Sequence, residues 1–187
     1  KGVEQQDVFV FYAAGHGTVV QCPGANDRPY RLVPYAPSLR SDPSRCSRGV
    51  PDEVLSSQLR PIPARKKLVI LDTCHAGAAA TENMLVAMRG AADVDAIKRL
   101  SRAEGMAIIA AAQAKEYAGE VPALGHGVFT YALLQGLAGK APRVGSSVTV
   151  FNLLSYVSDE VATLSDTHLR RRQFPITSMQ GQDFPVV

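Results

Sequence analysis

Residues 68–77, with the sequence LVILDTCHAG, join a run of large apolar residues to an acid, a cysteine and a histidine. Such a continuous apolar run is typical of a strand that is buried on both faces of a sheet. Reactive side chains at its end indicate a site at the sheet edge, because open α/β sheets bind ligands at the carboxyl ends of their strands. Cys74 is therefore a candidate nucleophile, and it needs a base.

The composition indicates one globular domain over residues 1–187. Hydrophobic residues make up 46% of the 187 residues and charged residues 20%, which is ordinary for a folded domain. No apolar run approaches the roughly 18 residues that a membrane span needs, and no signal-peptide pattern is visible. The net charge is +3, and the one dense basic run, residues 170–172, is typical of a solvated surface. We therefore expect neither a membrane nor a nucleic acid as partner.

The three cysteines, Cys22, Cys46 and Cys74, are an odd number at irregular spacing. This pattern argues against a disulfide framework and suits a reducing compartment, so we expect a cytoplasmic protein. A bridge between Cys22 and Cys46 stays open, because both lie in the loop-rich segment of residues 17–50. A zinc site is disfavoured, because no C-x-x-C pair or histidine cluster accompanies them.

Two further apolar runs indicate that residues 67–73 form one strand of a larger sheet. Residues 7–17 (DVFVFYAAGHG) and residues 106–112 (MAIIAAA) are predicted buried strands, with a shorter strand within residues 30–35. Predicted helices alternate with them: one beginning after Pro51, one over about 127–138 that ends at Gly139, and one over about 149–163 with Thr149 as its N-cap. The tail, residues 174–187, is expected to be irregular. This alternation predicts an α/β sandwich with a mostly parallel sheet.

Four histidines are candidate bases for Cys74. His75 is adjacent to it, but successive side chains of an extended strand point to opposite faces, so this pairing is disfavoured. His126 also lies in a Gly-His-Gly sequence, but it follows a turn and precedes a helix instead of ending a strand. His168 lies among charged and polar residues and is interpreted as a surface residue.

His16 has the more suitable context, at the end of the strand predicted over residues 7–17. Parallel neighbouring strands would bring it beside Cys74 at one edge of the sheet. Gly17 leaves room for a substrate carbonyl, and its N–H and that of Cys74 could form an oxyanion hole. Taken singly, a structural histidine and a buried cysteine are equally good interpretations. Two matched strand ends, each beside glycine, favour the catalytic one.

These motifs and the segments around them resemble those of caspase-like cysteine peptidases. The sequences FYAAGHG (residues 11–17) and ILDTCHAG (residues 70–77) are similar to the His and Cys motifs of that family. The D-x-C-H-x-G form is closer to metacaspases and bacterial caspase-like peptidases than to animal caspases. Residues 109–120, 125–137 and 173–185 also resemble family segments, so the resemblance covers nearly the whole chain.

The resemblance implies a three-layer α/β/α fold and a cysteine endopeptidase that acts on polypeptides without a cofactor. Cys74 would be the thiolate nucleophile and His16 the general acid and base. The family usually works with this dyad alone, through an acyl-enzyme. The backbone N–H groups of Gly17 and Cys74 would stabilise the oxyanion.

Asp72 matches the metacaspase position that lines the primary specificity pocket. A carboxylate there would favour Arg or Lys before the scissile bond through charge-assisted hydrogen bonds. The alternative interpretation is a structural aspartate at the strand end. Glu120 and Glu116, in the loop after the third strand, could add acidic character to the pocket.

The chain departs from the family pattern in two respects. It begins six residues before the predicted His strand, whereas the family fold has two strands and helices before that strand. Because the sheet alone would expose an apolar edge, we expect a complementary N-terminal segment or chain to complete it. Ala14 also replaces the metacaspase serine that lies two residues before the histidine, which alters that part of the pocket.

Residues 76–104 are a candidate autoprocessing linker of a zymogen, as in activated relatives. They contain four basic residues, Arg89, Lys98, Arg99 and Arg102. Calcium activates many metacaspases, but the acidic pair Asp93 and Asp95 is too small to predict a site. Two other functions stay open: a catalytically silent module that binds peptides or partners, and another α/β thiol hydrolase that acts on amides or esters.

Overall fold

A computed structural model describes residues 2–19, 30–33, 49–59, 61–74, 107–111, 120–170, 172–179 and 181–187. The strands are β1 (Val8–Val19), β2 (Tyr30–Val33), β3 (Val50–Pro51), β4 (Lys66–Cys74), β5 (Ala107–Ala110), β6 (Glu120–Val121), β7 (His126–Gly127), β8 (Arg143–Val144), β9 (Ser147–Val148) and β10 (Ile176–Met179). The helices are α1 (Asp52–Leu59), α2 (Val128–Gln135) and α3 (Val150–Leu169), with a 3₁₀ turn at Pro122–Leu124 and a π-helical turn at Gly136–Lys140.

Six strands form one sheet in the order β10-β5-β4-β1-β2-β3. The neighbours β1, β4 and β5 are parallel, whereas β10 on one side and β2 and β3 on the other run antiparallel to their partners. The three long apolar runs of the sequence are thus the parallel strands. The predicted α/β fold is confirmed, as a mixed sheet with antiparallel strands at both sides.

Strand β4 separates two apolar cores, because its successive side chains face opposite sides of the sheet. Leu68 belongs to the core that contains Phe129 of α2 and Leu153 of α3. Its neighbour Val69 belongs to the other core, with Leu55 of α1. Helices therefore cover both faces of the sheet at β4, and the predicted three-layer α/β/α arrangement is confirmed.

Lys67 of β4 is buried with its ammonium group at the end of α1. Its Nζ donates a hydrogen bond of 2.8 Å to the carbonyl oxygen of Leu59, the last residue of that helix. This contact satisfies a carbonyl that has no partner within the helix. The positive charge of Lys67 also interacts favourably with the negative end of the helix dipole. It joins α1 to the strand that carries Cys74.

Helix α3 begins where the sequence predicts but ends six residues later. Thr149 is the N-cap, and its side chain accepts a hydrogen bond from the N–H of Asn152 at 3.4 Å. The prediction ended at residue 163, but buried positions recur every three or four residues as far as Ser165, so packing extends the helix. Arg170, with φ of 52°, ends it. None of the helices in the described ranges is long and apolar enough to cross a membrane.

The prediction of an irregular tail is wrong for Ile176–Met179, which forms β10. This strand pairs antiparallel with β5, and Ile176 is buried in the core that contains α1. Gln173, three residues before β10, anchors this part of the chain through two hydrogen bonds. Its N–H donates to Ser165 Oγ at 2.8 Å, and its Nε2 donates to the Ala111 carbonyl at 2.7 Å. Contacts distant in sequence, which no local pattern displays, define this strand.

One edge of β1 has no strand beside it in the described part of the chain. Strand β2 pairs only with residues 16–19, so the edge of residues 8–15 that faces away from β4 has no ladder there. Three apolar side chains of this stretch are also exposed: Val8, Val10 at 51% and Tyr12 at 47%. An unpaired edge beside exposed apolar residues is a surface on which another element can pack.

Candidate active site

Residues 16 and 74 lie side by side in the sheet. Strands β1 and β4 pair in parallel through nine residue pairs, from Val8 and Lys66 to His16 and Cys74. Neighbouring strands are about 4.8 Å apart, so the backbones of the predicted base and nucleophile are adjacent. The pair is the last of the ladder, at the carboxyl end of β4, where parallel sheets bind ligands. The catalytic roles of His16 and Cys74 stay a prediction.

Glycine is required at position 15 by the backbone. Gly15 has φ of 147°, a conformation that residues with a side chain rarely adopt, although an added Cβ would meet no atom within 4 Å. It pairs with Thr73 in the ladder, directly before the pair of His16 and Cys74. Gly17, the glycine that the sequence suggests for the oxyanion hole, pairs with Leu32 of β2, and no local pattern in the sequence indicates the requirement at position 15.

The other histidines that the structure describes lie outside the six-stranded sheet. His126 is exposed in β7, which pairs with β6 in a separate two-stranded sheet directly before α2. His168 is exposed in the last turn of α3. Neither is paired with β4 in a ladder. His75 lies outside the described residues.

Asp72 lies two residues before Cys74, partly buried between the sheet and α2. Its Oδ2 accepts a short hydrogen bond from the Thr130 hydroxyl of α2. The Tyr12 hydroxyl of β1 lies 3.5 Å from the same Oδ2 and 3.4 Å from Thr130 Oγ1. The cluster of Tyr12, Asp72 and Thr130 therefore joins β1, β4 and α2 through one carboxyl group.

Burial raises the pKa of Asp72 above its ordinary value of 3.8. Hydrogen bonds from Thr130 and then Tyr12 act in the opposite direction, but burial is the larger effect. A carboxyl group that is partly removed from water gains the most from a cation, because a nearby positive charge would offset its desolvation.

Tyr12 and Thr130 are the residues of this site that sequence reasoning missed. Tyr12 lies within the apolar run of β1, and Thr130 lies in a helix more than fifty residues from Asp72. Both resemble ordinary strand and helix residues. The pairing of β1 with β4 brings the Tyr12 hydroxyl to the carboxyl group, and the packing of α2 on the sheet brings that of Thr130. Their spacing in the sequence carries no signal.

The remaining predicted site residues are only partly described. Glu120 begins β6, where its backbone pairs with Gly127. Glu116 and the candidate calcium residues Asp93 and Asp95 lie outside the described residues, as does the predicted linker of residues 76–104. Within the described ranges, no three His, Cys, Asp or Glu side chains form a group that could hold a metal ion.

A family model for the caspase domain matches residues 1–184, which is nearly the entire chain. The chain therefore belongs to the caspase-domain family of cysteine peptidases, as its two motifs predict. The sheet order, the helices on both faces and the pairing of His16 with Cys74 are consistent with this assignment. No curated protein matches the chain.

Proposed function

We propose that this protein is an active cysteine endopeptidase that cleaves polypeptides after Arg or Lys, with Cys74 as nucleophile and His16 as acid and base. The observation that carries the proposal is the pairing of these two residues at the end of the parallel ladder. A nucleophile and a base on adjacent strands, at the edge where ligands bind, form the arrangement that acyl transfer needs.

The reaction follows from ordinary thiol chemistry. The imidazole of His16 takes the thiol proton of Cys74, and the thiolate adds to the carbonyl carbon of the scissile bond. The N–H groups of Gly17 and Cys74 would stabilise the resulting oxyanion. The C–N bond then breaks as His16 protonates the leaving amine, which gives a thioester. Water, deprotonated by the same imidazole, hydrolyses the thioester and releases the acid and the free thiol.

Asp72 is the basis for the proposed specificity. Residues two apart in an extended strand lie on the same face, so position 72 is about 7 Å from position 74 along β4. A partly buried carboxylate at this distance from the nucleophile suits an Arg or Lys side chain of the residue before the cut. Glu120, at the start of β6, is a second candidate for the same pocket.

Reporter peptides that differ only in the residue before the cut test this proposal. We expect kcat/KM for Arg and Lys reporters to exceed that for the uncharged isostere citrulline by about 10²-fold or more, because a buried carboxylate left without its cation is costly. Equal rates for the Arg and citrulline reporters, or a preference for Asp, would contradict the proposed specificity for basic residues. Mass spectrometry of the enzyme after incubation would also locate any self-cleavage in residues 76–104.

The exposed strand β1 supports a further part of the proposal: a complementary polypeptide segment pairs with residues 8–15 and completes the sheet. The open ladder edge offers backbone hydrogen bonds, and Val8, Val10 and Tyr12 offer apolar area.

The odd number of cysteines favours a reducing compartment such as the cytoplasm for this protein.

We expect the chain without such a segment to self-associate through β1. Sedimentation velocity at rising concentration measures this association, and the double variant Val8→Thr, Val10→Thr should weaken it while keeping strand-forming residues. Val144→Thr is the matched control, because Val144 is an exposed valine in the separate hairpin of β8 and β9. A fully active chain that stays monomeric at every concentration would argue against the proposed complementary segment.

A further inference from the structure

The cluster of Tyr12, Asp72 and Thr130 places two hydroxyl groups against one carboxyl group near the end of β4. Both hydroxyls are directed to one oxygen, Oδ2 of Asp72, and they come from two elements, the neighbouring strand β1 and helix α2. Thr130 lies in the first turn of α2, next to Phe129, which is 1% exposed in the core. The hydroxyl of Thr130 is therefore held by a helix turn that packs in the core.

This arrangement fixes the orientation of the carboxyl group. A free aspartate rotates about χ1 and χ2, whereas hydrogen bonds from a strand and a helix to the same oxygen restrict both rotations. A charged side chain of a substrate is recognised by direction as well as by charge, since guanidinium and ammonium groups donate along defined N–H bonds. A fixed carboxylate loses less conformational entropy when it binds such a group.

We infer that Thr130 and Tyr12 are positioning residues that hold the Asp72 carboxylate in the orientation that receives the basic side chain of the substrate. This inference rests on the proposed function, because it assigns the control of its specificity to residues that do not touch the reacting atoms. Thr130 makes the shorter contact and has the larger effect, and Tyr12, which is half exposed, has the smaller.

The two hydroxyls also act on the charge of Asp72. Burial raises the pKa of this carboxyl group, and the hydrogen bonds from Thr130 and Tyr12 partly counteract that rise. Removing a donor therefore raises the pKa further and protonates Asp72 at higher pH. The protonated carboxyl group no longer attracts a cation, so selection of basic residues is lost as the pH falls. In the variants this loss should begin at a higher pH than in the wild type.

The test compares Thr130→Val, Thr130→Ser and Tyr12→Phe with the wild type on Arg and citrulline reporters. We expect Thr130→Val to lower kcat/KM for the Arg reporter about 10- to 100-fold, mainly through KM, and to leave the citrulline reporter within about 2-fold. The acid limb of the pH profile for the Arg reporter should move to higher pH. Thr130→Ser keeps the donor and should restore both properties, and Tyr12→Phe should show a smaller effect of the same kind.

Two controls separate positioning from stability. Thr163→Val makes the same change at an exposed threonine of α3, whose hydroxyl donates only to the Asp159 carbonyl of its own helix, and it should alter neither profile. The rate of alkylation of Cys74 by iodoacetamide should be the same in wild type and Thr130→Val, because the small uncharged reagent does not use Asp72. If Thr130→Val fails to fold, Tyr12→Phe carries the test alone, since the Tyr12 side chain is half exposed and loses only its hydroxyl.

The possible failures are distinguishable. A wild-type enzyme with no preference for Arg over citrulline refutes the proposed specificity itself. A wild-type preference that survives Thr130→Val and Tyr12→Phe, with unchanged pH profiles, overturns the positioning role alone. An equal loss on both reporters in Thr130→Val, with slower alkylation of Cys74, also overturns it, because that result indicates damage to the whole site.

Discussion

We expect Cys74→Ala protein to hydrolyse an Arg reporter at least about 10⁴-fold more slowly than the wild type, because no thiolate could form the acyl-enzyme. His16→Ala should have an effect of similar order, since the thiol would lose its base and the leaving amine its acid. The double variant should be no slower than Cys74→Ala, because two residues that act as one unit have non-additive effects. Single-turnover rates with purified protein measure all three.

The chain provides matched controls for both substitutions. Cys22→Ala and Cys46→Ala remove the other thiols, and His126→Ala and His168→Ala remove exposed histidines that are not paired with β4. All four should keep activity within about 3-fold of the wild type, because none of them is a residue of the proposed site. Loss of activity in His126→Ala with full activity in His16→Ala would reverse the assignment of the base. A wild-type protein that hydrolyses no reporter and whose Cys74 is not alkylated would be a catalytically silent binding module.

The second large effect concerns Asp72→Asn. We expect this variant to lose about 10²- to 10³-fold in kcat/KM for Arg and Lys reporters, because an amide cannot replace the charge-assisted hydrogen bonds of a carboxylate. Hydrolysis of the citrulline reporter should be retained, which separates the loss of specificity from damage to the dyad. Unchanged selection of Arg would show that Asp72 is the structural strand-end residue of the alternative interpretation.

The same variant tests the electrostatics of the site through stability. Because burial raises the pKa of Asp72 in the folded chain, the folded state binds its proton more tightly than the unfolded state does. The ionised carboxyl group therefore opposes folding at neutral pH, and this effect disappears as the pH falls below the unfolded value of 3.8. Asp72→Asn should be the more stable protein at neutral pH, by a margin that shrinks on acidification. Urea unfolding at several pH values measures the margin.

Much of the fold could be predicted because the central strands carry strong local signals. Residues 7–17 and 67–73 are continuous apolar runs, and they appear as β1 and β4 with boundaries shifted by one or two residues. Helix α3 starts at the predicted cap, Thr149, because an N-cap is a local interaction. Strand β10 could not be predicted in this way, since its pairing with β5 depends on a contact across more than sixty residues.

In the candidate site, too, some features follow from local sequence signals and others depend on contacts distant in sequence. The pairing of His16 with Cys74 follows from strand order and polarity, which the sequence indicates through two strand ends with reactive residues. The environment of Asp72 depends on where α2 packs, and no periodicity in the chain relates Thr130 to a carboxyl group on β4. The juxtaposition of two strand ends was accessible to prediction, whereas the side-chain contacts of Tyr12 and Thr130 with Asp72 were not.

The ladder of β1 and β4 determines what a cut in residues 76–104 would do. Both strands precede that segment, so His16, Cys74, Asp72 and Tyr12 would stay on one fragment, and Thr130 would leave with the other. The fragments would be joined only by non-covalent contacts, among them the four residue pairs of β4 with β5 and the shared apolar cores. Selection of the substrate would then depend on protein concentration, because dilution separates the threonine hydroxyl from the carboxyl group it orients. Dissociation would also expose the apolar face of β4 that α2 and α3 cover, so the strand end that carries Cys74 and Asp72 depends on both fragments.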